Sequence, residues 1–285
     1  MIGKQEQAEI LLEAIPYIEK YRGKVLIVKY GGNAMLSDES KQSVMRDLAL
    51  LKLLGIRLVL VHGGGPEISQ MLKRVGIESR FVGGLRYTDK ETIEVVRMVL
   101  AGKVNKELVQ MLCSEGASAV GLSGIDGRML FCEKEDEALG FVGKITNVNA
   151  EIIFDCLEKG YTPVISTIGC DDEGNIYNVN ADTAAAAIAG AMQAESLILM
   201  TDIRGLLKDM NDDSSLIKRV YVSDIPSLIL DGVISGGMIP KVNCCKEAIR
   251  KGVGRVFITD GRVNHSILLE LLSDEGMGTM FVKGD

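Results

Sequence analysis

The 285-residue sequence has no tryptophan, only 5% aromatic residues and two histidines. With so few aromatic rings, the chain has little on which the bases of a single strand could stack. The histidines, His62 and His265, and six cysteines without Cys-x-x-Cys spacing leave any zinc site to be assembled from scattered ligands. The cysteines read as free, buried thiols in a reducing cytosol. A formal net charge of −7 argues against broad binding to nucleic acid or to an anionic membrane. The longest uncharged stretch, 183–194, is rich in small residues and falls short of the roughly 20 apolar residues that span a bilayer. Glu6, Glu9 and Glu13 interrupt the place where a secretory signal would carry its apolar core. Neither a Walker A loop nor a complete Gly-x-Gly-x-x-Gly fingerprint occurs, which disfavours a dinucleotide-dependent oxidoreductase. The expectation is a cytoplasmic protein with neither nucleic-acid nor membrane partners.

Short apolar, β-branched runs do recur, at 25–30, 58–61, 117–122, 163–167, 196–200 and 256–259. Between them, helical patterns cover 38–54, 66–75, 90–115, 150–159, 181–192 and 237–251. Continuously apolar strands alternating with helices predict a mainly parallel sheet covered on both faces. Ligands in such sheets bind beyond the carboxyl ends of the strands. A turn sequence at 171–175 separates two strand–helix series and suggests a boundary between lobes. Ahead of the first strand, Leu11, Ile15 and Ile18 give residues 5–20 one apolar face, and Pro16 predicts a kink within it. That face packs either on its own domain or on another subunit.

The strand ends carry the chemistry. Lys29-Tyr30-Gly31-Gly32-Asn33 places a lysine in an apolar run, where it needs an anionic partner. His62-Gly63-Gly64-Gly65-Pro66 leads into a helix, so its backbone N–H groups can cradle an anion. His62 itself reads either as a base or, more simply, as a histidine bonded to neighbouring backbone. Arg86, after Gly83-Gly84-Leu85, is either a carboxylate clamp or an exposed arginine. In Asn178-Val179-Asn180-Ala181-Asp182, the aspartate opens a helix of very small residues. It could serve the helix dipole, hold lysine ammonium groups or bind a metal. Lys241, after Ser235-Gly236-Gly237, falls near a helix start, where a cation is unfavourable unless an anion sits there too.

In this order, the motifs at 29–32, 62–65, 84–86, 178–182 and 236–241 resemble the amino acid kinase family, nearly along the whole chain. Within it they are similar to the branch that phosphorylates N-acetyl-L-glutamate, of the arginine-sensitive hexameric type. The resemblance implies a three-layer α/β/α sandwich around a mainly parallel sheet. It also implies an N-terminal kinked oligomerisation helix (1–22), an amino-acid-substrate lobe (23–175) and an ATP-binding lobe with a C-terminal arginine-site region (176–285). The reaction implied is transfer of the γ-phosphoryl of ATP to the side-chain carboxylate of N-acetyl-L-glutamate, a step in arginine biosynthesis. Lys29 and Lys241 would neutralise the moving phosphoryl, Asp182 would orient them, and the Gly32 and Gly64 amides would touch phosphoryl oxygens. Gly64, Gly65, Arg86 and Asn178 would hold the acceptor. Thr201, Asp202, Ile203, Arg204, Gly205, Leu206 and Ser235 would line the nucleotide site. Mg2+ would come with ATP, and no metal site of the protein's own is expected. L-arginine would inhibit through Tyr17, His265 and Glu275, in a homo-oligomer built as a hexamer, a trimer of dimers.

Overall fold

The computed structural model describes residues 3–284 apart from 36, 210 and 275. The chain runs α1 (Lys4–Tyr21), β1 (Val25–Tyr30), α2 (Asp38–Leu53), β2 (Arg57–His62), α3 (Gly65–Arg74), β3 (Phe81–Val82), β4 (Leu85–Arg86), α4 (Lys90–Arg97) and α5 (Asn105–Ser114). It continues through β5 (Ala119–Ser123), β6 (Leu130–Lys134), β7 (Gly143–Val148), α6 (Glu151–Glu158), β8 (Thr162–Ser166), β9 (Ile168–Cys170), β10 (Ile176–Asn178), α7 (Ala181–Ala191) and β11 (Ser196–Thr201). It closes with β12 (Arg219–Tyr221), α8 (Ile225–Leu230), α9 (Met238–Arg250), β13 (Arg255–Asp260), α10 (Ser266–Leu271) and β14 (Thr279–Val282).

The six apolar runs become six adjacent parallel strands. The main sheet has eight strands in the order β12-β14-β13-β11-β1-β2-β8-β5; its one antiparallel pairing is β13–β14, so β14 and β12 run opposite to the other six. Side chains alternate between its faces. Leu26, Val28 and Tyr30 join one core with α2 to α5 and α10, whereas Ile27 joins the other with α6, α7 and α9. Three layers result, as the resemblance implied.

The period-based reading missed the short elements. A hairpin, β3–β4, and a four-stranded sheet, β10-β9-β6-β7, stand apart from the main sheet. The turn at 171–175 connects β9 to β10 within that small sheet. Helix 90–115 is interrupted, because residues Met98–Val104 form a π-helix between α4 and α5. Helix α1 continues through Pro16, and Ile10, Leu11, Leu12 and Ile15 on it are exposed. All six cysteines are free, yet only Cys132 and Cys245 are buried and Cys113 is exposed, so the buried-thiol expectation holds for a minority. No helix among the described residues is long and apolar enough to cross a membrane.

Candidate active site

Alternation decides where Lys29 points. It shares a strand face with Ile27, toward α7 and α9, and its ammonium meets the carboxylate at the start of α7. Lys29 Nζ lies 2.8 Å from Asp182 Oδ1, and Lys241 Nζ lies 2.7 Å from Asp182 Oδ2. Burial pushes the Asp182 carboxyl up, but the two ammonium groups outweigh it and bring it down to about 2. Asn180 caps α7, its Oδ1 accepting from the Asp182 and Thr183 N–H groups at 3.0 and 3.1 Å. The alanines of α7 bring the helix close to β1 and β11. Two cations around one anion leave a net positive centre, suited to receiving phosphoryl oxygens.

A cavity of about 210 Å³ opens beside Lys29, lined by Gly31, Gly32, Gly63 to Gly65, Arg86 and Asn178. Gly32 has φ +70°, a left-handed turn that glycine adopts without strain. Arg86 is buried, which decides against the exposed-arginine reading. Its guanidinium donates to the Gly65 carbonyl and to Ser69 Oγ, both at 2.9 Å, and to Ser79 Oγ, and it lies over the Phe81 ring. Asn178 donates to Thr88 Oγ1 at 3.2 Å. Phe81, Leu100, Val142 and Thr167 also line the cavity, and sequence reasoning passed over all four. His62 turns to the opposite face. Its ring bonds the Gly63 carbonyl at 2.8 Å and Asn105 Nδ2 at 3.1 Å, and burial pushes its pKa down to about 4. With Nδ1–H donating to Gly63, Nε2 is left to accept from Asn105, the neutral tautomer that such a setting favours.

A second cavity, about 390 Å³, lies past the ends of β11 and β13. Asp202, Ile203, Arg204, Gly205, Leu206 and Ser235 line it together with Met238, one turn before Lys241. Thr201 stands behind them, its hydroxyl donating to Asp202 Oδ1 at 3.2 Å. Asp260 and Arg262 were not foreseen; Arg262 forks onto Asp260 through two bonds of 2.9 and 2.7 Å. The signal was present, since Thr259-Asp260-Gly261-Arg262 at the end of β13 repeats the Thr-Asp-x-Arg pattern of Thr201–Arg204.

One cavity is lined by Lys29 and the other by Met238, one turn before Lys241, so the lysine–aspartate–lysine bridge links two cavities, an arrangement suited to transfer between two ligands. Residues 24–260 match the model of the amino acid kinase family. The chain belongs to the amino acid kinase family. It is 54% identical to the acetylglutamate kinase of Brachyspira hyodysenteriae, over 99% of each chain. Identity to the acetylglutamate kinase of Clostridioides difficile is also 54%, over 98% of each. Likeness of this degree along the whole length makes the protein an enzyme of that group. Among solved structures, N-acetylglutamate synthase from Neisseria gonorrhoeae, complexed with coenzyme A and N-acetyl-glutamate, superposes with a TM-score of 0.84 at 25% identity. That match covers 98% of this kinase but 64% of the synthase chain. Carbamate kinase from Giardia lamblia bound to AMP-PNP shares the fold at a TM-score of 0.67 and 16% identity, over 92% of this chain and 99% of its own.

The kinase has a third cavity, about 340 Å³, between α1 and the C-terminal strands. Basic Lys20, Lys218, Arg219 and Arg255 face acidic Glu270 and Asp274 across it. Tyr17 lines it and donates to Asp274. His265 does not line it; its N–H donates to Ser43 Oγ at 2.9 Å and its Nδ1 lies 2.6 Å from Asp47 Oδ1, against α2. Glu275 lies outside the described residues. Glu270, which the sequence reading did not single out, is buried in the wall and accepts from the Gly278 N–H at 2.8 Å.

Proposed function

We propose that the protein transfers the γ-phosphoryl group of ATP to the side-chain carboxylate of N-acetyl-L-glutamate, giving N-acetyl-L-glutamyl 5-phosphate for arginine biosynthesis in the cytoplasm. The Lys29–Asp182–Lys241 bridge carries this reading, because it runs from Lys29, in the wall of one cavity, to Lys241, one helical turn after Met238 in the wall of the other. A glutamate side chain has a pKa near about 4.3 and is already an anion at neutral pH, so the acceptor needs no general base. The obstacle is repulsion between a carboxylate and a polyphosphate. Fixed positive charge at the point of transfer offsets it, and phosphoryl transfer is served chiefly by such electrostatics and by positioning.

In this scheme Arg86 takes the α-carboxylate, and Gly64, Gly65 and Asn178 hold the rest of the acceptor. Lys29, Lys241 and the amides of Gly32 and Gly64 meet the phosphoryl oxygens, with Asp182 aligning the lysines. Residues 201–206 and Ser235 take the nucleotide. Among the described residues no group of three or more His, Cys, Asp or Glu side chains gathers to hold a metal. In this scheme Mg2+ comes with ATP, held through phosphate oxygens and water.

The third cavity supports a regulatory reading. Its mixed charges suit a ligand with a guanidinium, an ammonium and a carboxylate, which is L-arginine, the end product. The exposed apolar residues of α1 suit burial against a second copy in a hexamer assembled from dimers. Residues 1–22, 23–175 and 176–285 then serve assembly, acceptor and nucleotide, with the arginine site at the C-terminal end.

The test is hydroxylamine trapping of acyl phosphate with N-acetyl-L-glutamate, L-glutamate and L-aspartate, each with and without L-arginine. Product from N-acetyl-L-glutamate alone, suppressed by arginine, is expected. Arginine binding without any product would make the protein a sensor instead. Removal of residues 1–20 is expected to yield dimers that resist arginine, by light scattering and by the same assay. Hexamers with unchanged inhibition would end the regulatory reading.

A further inference from the structure

The π-helical stretch Met98–Val104 closes with the Asn105 N–H donating to the Leu100 carbonyl, five residues back. Such wide turns are uncommon and concentrate at functional sites. Its downstream end is pinned to the sheet. Asn105 is buried, and its Nδ2 lies 2.8 Å from the Val164 carbonyl and 3.1 Å from both the Leu122 carbonyl and His62 Nε2. Its upstream part presents Leu100, itself buried, to the cavity beside Lys29.

Leu100 presses on the glycine strip at the entrance to α3. A Cβ placed on Gly64 would come within 2.7 Å of Leu100 Cδ2 and 3.3 Å of Val104 Cγ2. A Cβ on Gly65 would meet nothing within 4 Å. A side chain at 64 would therefore force the end of the buried Leu100 to shift. The strip also spans the cavity. At one end the Gly63 N–H and the Lys29 ammonium both flank Gly31; at the other the Gly65 carbonyl accepts from Arg86. Polar and apolar contacts thus hold one strip from behind: His62 through the Gly63 carbonyl, Leu100 through Gly64.

We infer that Leu100, presented by the π turn, sets the chain length of the dicarboxylate the cavity accepts, by backing the glycine strip between Lys29 and Arg86. This rests on reading that cavity as the acceptor site. An acceptor held by one carboxylate at Arg86 and the other at Lys29 must match the span between them. One methylene in a fitted pocket is worth roughly 10–200-fold in selectivity.

The experiment compares kcat/KM for N-acetyl-L-glutamate and its one-methylene-longer homologue, N-acetyl-L-2-aminoadipate, in wild type, Leu100→Ala and Leu100→Met. Leu100→Ala is expected to shift the ratio toward the longer acceptor by about tenfold. Leu100→Met, which keeps the volume, is expected to retain the wild-type ratio. An unchanged ratio in an active Leu100→Ala enzyme overturns the inference and leaves the acceptor reading standing. A wild type inactive on both acceptors overturns the acceptor reading and the inference with it. A thermal cycle tests the contact without any substrate. Gly64→Ala lowers Tm, and adding Leu100→Ala is expected to cost less than the sum of the two; strictly additive losses overturn the inference.

Discussion

Lys29 and His62 end neighbouring parallel strands, Lys29 pairing with Val61 and His62 with Tyr30, and both are buried. One residue of offset sends them to opposite faces of the sheet. Lys29 meets a carboxylate and stays in a charged cluster. His62 meets a carbonyl and an amide, and burial keeps it neutral. Burial alone therefore does not mark a reacting group. The partner does: an ion pair in the wall of a cavity is available to an incoming anion, whereas a neutral ring saturated by backbone and Asn105 has no capacity left for chemistry.

Three measurements press on this contrast, in order of expected size. Lys29→Ala is expected to lower turnover by roughly 10²–10³-fold, the scale of removing one stabilising donor from a developing charge. Acceptor binding, by calorimetric titration, should change by much less; equal losses in turnover and binding would move Lys29 among the binding groups. The second is the pH dependence of stability, read from urea midpoints. His62 takes its proton near 6.5 when unfolded and only near 4 when folded. The unfolded chain therefore binds the extra proton first, and stability falls as pH drops from about 6.5 to about 4, by about 3 kcal/mol at most. Asp182 differs in window: its folded pKa is depressed from 3.8 to about 2. Its contribution, about 2 kcal/mol, is complete above about 4 and lost only below that. A His62→Gln variant should lose the upper slope and keep the lower one. A flat profile between 6.5 and 4 in wild type would contradict the neutral, buried ring. Smallest is Asn180→Ala, which removes the cap of α7 and should cost about 1 kcal/mol in the same assay. A loss several times larger would mean that Asn180 does more than cap the helix.

The two clusters also differ in how legible they were. Lys29 stands out because a lysine in an unbroken apolar run demands a partner, and Asp182 and Lys241 each sit at helix starts that advertise charge. The six parallel strands were readable for the same reason, since strands buried on both faces are apolar throughout. Pairing was harder to see. Nothing local in Asn105 announces that it will meet His62, 43 residues earlier. Leu100 looks like any apolar position of a helix, and a period of 3.6 has no way to register an inserted π turn. Strands of two or three residues, such as β3, β4 and β10, are too short to show a period. His265 was singled out by family resemblance, but its surroundings come from Ser43 and Asp47, more than 200 residues away.

Helix α7 has a consequence for how this enzyme tolerates change. Ala184, Ala185, Ala186, Ala187 and Ala189 are buried, so the helix rides as close to the sheet as its backbone permits. None of these alanines lines the three cavities. Yet every added methyl would act as a wedge, lifting the axis and drawing the Asp182 carboxylate off the two ammonium groups it aligns. In a mutational scan, substitutions to valine or leucine along this inert segment should impair activity before they unfold the protein. They would form a band of intolerance whose cause is thickness alone.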